Sequence, residues 1–171
     1  VEGVDWFYVN GMAYNIKYPE ADERHTQEQF EYIKQYITDV DNACQAGNLE
    51  KLTTLVDINS FVDYYIVQEA MGQPEINWKS VYMYKTKDGL MKMGPIWDFD
   101  WSAMGPGTGN NKNVYRDRIE GLHSINNWFD ITLKNSPEFK SLVGTRFDEV
   151  KDTLLNVLER TKNHVEIFTH Y

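Results

Sequence analysis

The sequence predicts an α+β domain that is mostly helical and carries two short β-hairpins. Two turn signals, Asn10-Gly11 and Asp88-Gly89, each separate short runs rich in aromatic and β-branched residues, which is the pattern of a tight hairpin. Elsewhere, apolar residues recur at the intervals of amphipathic helices. The length of 171 residues, with 42% hydrophobic and 25% charged residues, is typical of a single globular domain.

The N-terminal part predicts a hairpin followed by a helix. Strand-like residues 4–9 and 12–18 flank the first turn, and Pro19 ends the second strand. Thr26 and Gln29 have the spacing of a capping box, which predicts the start of a helix. Apolar residues then recur at helical intervals until Gly47: Phe30, Ile33, Ile37, Val40 and Cys44.

The middle of the chain predicts a buried helix and a second hairpin. Asp57 can cap the helix, and Pro74 ends it. Apolar and aromatic residues lie nearly all round its surface, so we expect it to be buried on most sides. The hairpin then pairs residues 80–85 with residues 90–93.

The C-terminal part predicts a loop and two helices. Residues 103–118 are rich in Gly, Pro and Asn, a loop composition. Ser136-Pro137 predicts the start of the last helix, which we expect to reach Phe168 with a break near Gly144. The helix before it is predicted from four apolar residues: Leu122, Ile125, Phe129 and Leu133.

Composition and charge argue against several classes of protein. With 17 Lys and Arg against 26 Asp and Glu, the net charge is −9, which disfavours binding to nucleic acid or to an anionic membrane. The single cysteine, Cys44, rules out an intrachain disulfide and a Cys-based zinc site. No stretch approaches the ~18 apolar residues of a transmembrane helix. The 11 Tyr, 8 Phe and 5 Trp suit a well-filled core, with an aromatic ligand platform as the alternative.

Asp98 and Asp100 form the most distinctive acidic motif, Trp97-Asp-Phe-Asp-Trp101. In an extended segment, two residues at this spacing point to the same side. Two carboxylates among apolar residues repel each other unless a cation lies between them, and a hard divalent ion such as Mg²⁺ would serve. The alternative is that each acid caps a turn or pairs with a basic side chain: Lys92, Arg116 or Arg118.

Glu75 lies in the turn before the second hairpin, 23 positions ahead of Asp98. The hairpin can fold this residue back toward the Asp98 carboxylate, where it would be placed to act as a general base on a hydroxyl group. A solvated loop glutamate is the alternative interpretation.

Three blocks of this sequence resemble the CotH kinase family, the atypical kinase-like proteins named for spore coat protein H. The blocks are residues 56–69, residues 79–85 and Met93-Gly-Pro-Ile-Trp-Asp-Phe-Asp-Trp101, with a looser similarity from Trp128 to Arg146. The resemblance covers most of the chain from about Tyr14 onward.

The resemblance implies a remote protein-kinase-like fold that transfers the γ-phosphate of ATP, with Mg²⁺, to Ser or Thr of secreted or cell-surface proteins. Asp98 resembles the metal-binding aspartate of the family, and Asp100 is the second acid of that block. The family usually has Asp in an Asn-x-Asp turn before the hairpin, and Glu75 in Gln73-Pro74-Glu75 takes that place as the candidate catalytic base.

The resemblance also implies that residues 1–171 are a single-domain fragment, the C-terminal portion of a CotH-like domain whose N-terminal part is missing. The Lys and Arg residues with which the family holds ATP precede the first hairpin, so we expect the fragment alone to be inactive. Two other functions remain open: a non-catalytic extracellular binding or scaffold module that keeps the fold, and a glycoside hydrolase that uses Glu75 with Asp98 or Asp100. The substrate and the oligomeric state are not predicted.

Overall fold

The architecture consists of two small antiparallel hairpins set against a group of helices. The computed structural model describes residues 3, 5–18, 26–77, 79–99 and 124–168. The elements, in chain order, are β1 (Trp6–Val9), β2 (Met12–Asn15), α1 (Gln27–Gln45), α2 (Leu49–Thr53), α3 (Ile58–Ala70), a 3₁₀ turn (Pro74–Asn77), β3 (Met83–Tyr84), β4 (Lys92–Met93), α4 (Trp128–Asn135) and α5 (Pro137–Phe168). The prediction of a mostly helical α+β protein with two hairpins is confirmed.

The first hairpin pairs β1 with β2 and packs on α1. Asn10 and Gly11 both have positive φ, at 47° and 81°, as the predicted tight turn requires. Phe7 is buried and its ring meets that of Phe30 edge to face, with centroids 5.7 Å apart. The hairpin is thereby fixed to the buried face of the helix.

Helix α1 begins with the predicted capping box, in which Thr26 and Gln29 exchange side-chain and backbone hydrogen bonds. The helix ends at Gln45, and Gly47 follows with φ at 61°. The short helix α2, which the sequence analysis did not predict, comes next and is capped by Asn48.

Helix α3 lies in the core, as its apolar sequence predicts. Phe61 is fully buried, and its ring lies 4.4 Å from that of Phe129 in α4. Tyr64 and Tyr65 stack on the same phenylalanine ring. Asp57 caps the helix by accepting a hydrogen bond from the Ser60 N–H group.

The second hairpin is shorter than predicted, with two residues in each strand instead of residues 80–85 and 90–93. Its second arm is attached to the start of α3, because the Met91 N–H donates to the Leu55 carbonyl and the Asp57 N–H donates to the Met91 carbonyl. These bonds set the path of residues 94–99, which leave the hairpin toward the 3₁₀ turn.

Two helix boundaries differ from prediction. Helix α4 begins at Trp128, after Ile125, because the Asn127 side chain accepts from the N–H groups of Phe129 and Asp130 and so caps the helix there. Leu122 lies outside the described residues. The break expected near Gly144 is wrong, since α5 is continuous. A single glycine costs about 1 kcal/mol in a helix, which the hydrogen bonds of a long helix outweigh.

None of the helices in the described part of the chain is both long and apolar enough to cross a membrane.

Candidate active site

The candidate site lies where the turn after α3 meets the segment that leaves β4. The turn supplies Gln73, Glu75, Lys79 and Ser80, and the segment supplies Asp98. Gly72 has a φ of 60° and directs the chain from the end of α3 into this turn. The turn and the segment are far apart in the sequence, and they meet because the second hairpin brings the chain back to the turn that precedes it.

Glu75 is a buried carboxylate, only 2% exposed. Its Oε1 forms an ion pair with Lys79 Nζ at 2.5 Å, one helical turn further along the chain. Its Oε2 accepts a hydrogen bond from the Ser80 hydroxyl at 2.6 Å. The interpretation of Glu75 as a solvated loop residue is therefore wrong, because the turn tucks the side chain beneath Lys79 and Ser80.

Asp98 is an exposed residue whose carboxylate faces Ser80, with Oδ2 3.0 Å from the Ser80 Oγ. Its φ of 68° puts the backbone in the left-handed region, so the extended segment predicted here is wrong at Asp98. The alternative of a pair with Lys92 is not realised, since Lys92 forms its ion pair with Asp57 at 3.3 Å. Asp100, Arg116 and Arg118 lie outside the described residues.

Gln73 connects the two acidic residues through their backbones. Its side chain is 2% exposed, and its Nε2 donates to the Asp98 carbonyl oxygen at 2.6 Å. Its Oε1 lies 3.4 Å from the Glu75 backbone nitrogen, which is long for a hydrogen bond. The firm link is thus the bond to Asp98, which holds that residue in its left-handed conformation.

The donor atoms at this point suit a hard divalent cation. Glu75 Oε2, Ser80 Oγ and Asp98 Oδ2 are all oxygens, and they converge on one small volume. Mg²⁺ prefers oxygen ligands and commonly takes only one or two carboxylates, with water and substrate phosphates as its other ligands. Within the described residues, no group of three or more His, Cys, Asp or Glu side chains is placed to hold a metal ion, so a purely protein-made cage is not present there.

A cleft of about 980 Å³ opens beside the site, between the two hairpins and α1. Lys79 and Ser80 are among its lining residues, whereas Glu75 and Asp98 are not. Lys85 Nζ lies 5.7 Å and 5.1 Å from the ring centroids of Tyr32 and Tyr36 on one wall. Nine of its lining residues are aromatic: Phe7, Tyr14, Tyr18, Tyr32, Tyr36, Tyr82, Tyr84, Trp128 and Phe129. A ligand in this cleft would reach the carboxylates through Ser80 and Lys79.

The family model of the CotH kinase protein matches residues 4–170. The chain belongs to the CotH kinase protein family. Comparisons with curated proteins and with solved structures found no match.

In this CotH family chain, the structure brings together Glu75 and Asp98, the two described residues that the sequence analysis proposed for catalysis. Two residues of the site, Ser80 and Lys79, were not predicted from the sequence. Lys79 had a signal, because it lies four residues after Glu75, the spacing of an ion pair on one helical face. Ser80 is the first residue of the predicted strand, a position that indicates no role in a site.

Proposed function

We propose that this CotH family protein, in its full-length form, transfers the γ-phosphate of ATP to Ser or Thr hydroxyl groups of a secreted or cell-surface protein, with Mg²⁺ as the metal. The observation that carries the proposal is the meeting of Glu75 and Asp98 at a single hydroxyl group, 2.6 Å and 3.0 Å from the two carboxylates. Phosphoryl transfer depends mostly on positioning of the nucleophile and on neutralisation of the phosphate charge. In this arrangement, Glu75 would position the nucleophile and Asp98 would hold the metal that neutralises the charge.

Glu75 is suited to receive the proton of the acceptor hydroxyl. It is buried, its position is fixed by Lys79 and Ser80, and its Oε2 already accepts a hydrogen bond from an alcohol. In the proposed reaction, the acceptor oxygen forms a bond to the γ-phosphorus, its proton passes to the Glu75 carboxylate, and the bond from the γ-phosphorus to the bridging oxygen of ADP breaks. An incoming Ser or Thr hydroxyl would approach Glu75 beside the Ser80 Oγ, since a carboxylate can accept more than two hydrogen bonds.

Asp98 is suited to hold the metal, because its carboxylate is exposed and lies next to a second oxygen donor, Ser80 Oγ. Asp100 is proposed as a further ligand from its place in the same motif. When bound, Mg²⁺ neutralises charge on the phosphates of ATP. Lys79, which lines the cleft, would add a positive charge beside Glu75.

The cleft supports a second candidate, the non-catalytic binding module. Its aromatic lining, including Tyr82 and Tyr84 of the second hairpin, could hold an apolar or planar ligand without any chemistry at Glu75. A protein of this kind would bind its ligand equally well after the carboxylates had been neutralised. The kinase proposal predicts the opposite behaviour for phosphoryl transfer.

The proposed function is tested by Glu75→Gln in the full-length protein, with γ-labelled ATP, Mg²⁺ and casein as a Ser-rich acceptor, and with self-labelling scored in parallel. A general base contributes on the order of 10² to 10⁴ in rate, so we expect kcat to fall by at least about 100-fold while the KM for ATP changes little. Glu50→Gln is the matched control, since Glu50 is an exposed acid in α2. Equal label transfer by the wild type and Glu75→Gln would remove Glu75 as the base.

A further inference from the structure

The Ser80 hydroxyl lies within hydrogen-bond distance of both the Glu75 and the Asp98 carboxylates. It follows the 3₁₀ turn and precedes β3, so its backbone belongs to neither element. Its hydroxyl oxygen lies 2.6 Å from Glu75 Oε2 and 3.0 Å from Asp98 Oδ2. The distance between the two acids is therefore set through one atom of Ser80.

A hydroxyl group has a single hydrogen, so Ser80 can donate to only one of the two carboxylates at a time. The contact to Glu75 is the shorter, which places the hydrogen on that side. A lone pair of the Ser80 oxygen is then left toward Asp98, where the proposed cation would lie. Ser80 thus offers its hydroxyl hydrogen to Glu75 and its oxygen lone pair to a cation bound beside Asp98.

The backbone at both ends of this bridge adopts an uncommon conformation. Ser80 has a φ of 58° and Asp98 has a φ of 68°, and neither is glycine. Such conformations cost of order 1–3 kcal/mol each and persist where surrounding contacts impose them. Here the two strained residues contact each other through their side chains, so the strain serves to bring the Ser80 hydroxyl and the Asp98 carboxylate together.

We propose that Ser80 is a positioning residue that holds the Glu75 and Asp98 carboxylates at the separation that phosphoryl transfer requires. This inference rests on the proposed function. Ser80 transfers no proton or phosphate itself; it orients the two groups that do the chemistry. Its removal should therefore affect the turnover step more than the binding of ATP.

The test compares Ser80→Ala, Ser80→Asn and Ser60→Ala in the full-length protein. Ser80→Ala should lower kcat by about 10- to 100-fold, since a displacement of ~1 Å can cost about a hundredfold, with the KM for ATP within about threefold of wild type. Ser80→Asn should recover at least part of that loss. The Asn amide has two N–H donors, one for each carboxylate, and Asn tolerates the left-handed backbone better than most residues.

Ser60→Ala is the matched control because Ser60 also joins two elements through its hydroxyl. The Ser60 Oγ accepts from the Met93 N–H at 2.9 Å and contacts no site carboxylate. We expect this variant to lower the melting temperature while leaving kcat within about twofold when assayed well below it. A similar loss of kcat in Ser60→Ala and Ser80→Ala would show a general loss of structure and overturn the positioning role.

Binding of Mn²⁺, followed by its electron paramagnetic resonance signal without ATP, separates this inference from the proposed function. Ser80→Ala should weaken Mn²⁺ binding at least about fivefold, and Ser60→Ala should not. A wild type that binds Mn²⁺ and transfers no phosphate, with weaker Mn²⁺ binding in Ser80→Ala, would remove the proposed function and leave the positioning of the carboxylates supported. An active wild type whose kcat and Mn²⁺ affinity are both unchanged in Ser80→Ala would overturn the role of Ser80 alone.

Discussion

The side chain of Gln73 offers the sharpest test of how the site is held together. Gln73→Met keeps a side chain of similar length and removes the donor that reaches the Asp98 carbonyl oxygen at 2.6 Å. Gln73 is 2% exposed, so a methionine in its place would remain buried, and the Asp98 carbonyl would be the group left without its donor. The substitution should release Asp98 from its left-handed conformation and let its carboxylate move away from Ser80.

The size of the effect follows from the surroundings of the group that loses its donor. The carbonyl left without its donor belongs to Asp98, an exposed residue that water can reach, so the net loss is that of one ordinary hydrogen bond, about 0.5–1.5 kcal/mol. For a domain of this size, about 2–4 °C of melting temperature corresponds to each kcal/mol, so the melting temperature should fall by about 1–6 °C. Phosphoryl transfer by the full-length protein should fall by more than about tenfold below the melting transition, because the carboxylates lose their alignment.

Gln35→Met is the matched control for differential scanning calorimetry. Gln35 is exposed on α1 and donates to Asp39 at 2.9 Å, a helix-surface pair worth about 0.2–0.5 kcal/mol. The melting temperature of this variant should change by less than about 2 °C. Equal shifts in the two variants, together with unchanged phosphoryl transfer in Gln73→Met, would refute the role assigned to Gln73.

Three further predictions concern the scaffold. A Cβ atom at Gly47 would lie 2.1 Å from the carbonyl oxygen of the last residue of α4, whereas one at Gly11 would meet nothing within 4 Å. Urea unfolding should therefore show that Gly47→Ala destabilises the protein by well over the value for Gly11→Ala, which is about 1–2 kcal/mol from the left-handed backbone alone. Burial raises the pKa of Cys44 to about 12, so native protein at pH 8 should not react with a thiol reagent such as DTNB, and unfolded protein should react fully. The pKa of Asp57 is lowered, chiefly by the hydrogen bond from the Ser60 N–H, so the stabilisation from this cap is complete above the ordinary carboxyl pKa near 4 and is lost as the pH falls through the lower folded value. Asp57→Ala should therefore cost about 1 kcal/mol at pH 7, and the difference from wild type should shrink at pH 3.

Local sequence signals were sufficient where backbone chemistry decides the structure. The Asn10-Gly11 turn and the Thr26 capping box were predicted because each depends on a few adjacent residues. The start of α4 was misplaced because apolar spacing was followed back to Leu122, whereas the hydrogen bonds of the Asn127 cap determine where the helix begins. Helix periodicity alone does not carry that information.

The candidate site was predictable only in part. The hairpin signal between Glu75 and Asp98 was enough to propose that the chain folds back between them. The conformation of Asp98 depends on its contacts with Ser80 and Gln73, which form only once the hairpin has closed. The bridging role of Ser80 had no signal of its own, because a serine before a strand is common.

The most direct test of the central claim is transfer of labelled phosphate by the full-length protein when Asp98 is changed. Asp88→Asn, at the exposed turn of the second hairpin, is the control for Asp98→Asn, since the substitution is the same and only the position differs. We predict that wild type and Asp88→Asn label Ser or Thr residues in the presence of Mg²⁺ and ATP, and that Asp98→Asn reduces labelling by at least about 100-fold, comparable to the loss of a central electrostatic group. Labelling by Asp98→Asn at the wild-type rate would contradict the assignment of this site to phosphoryl transfer.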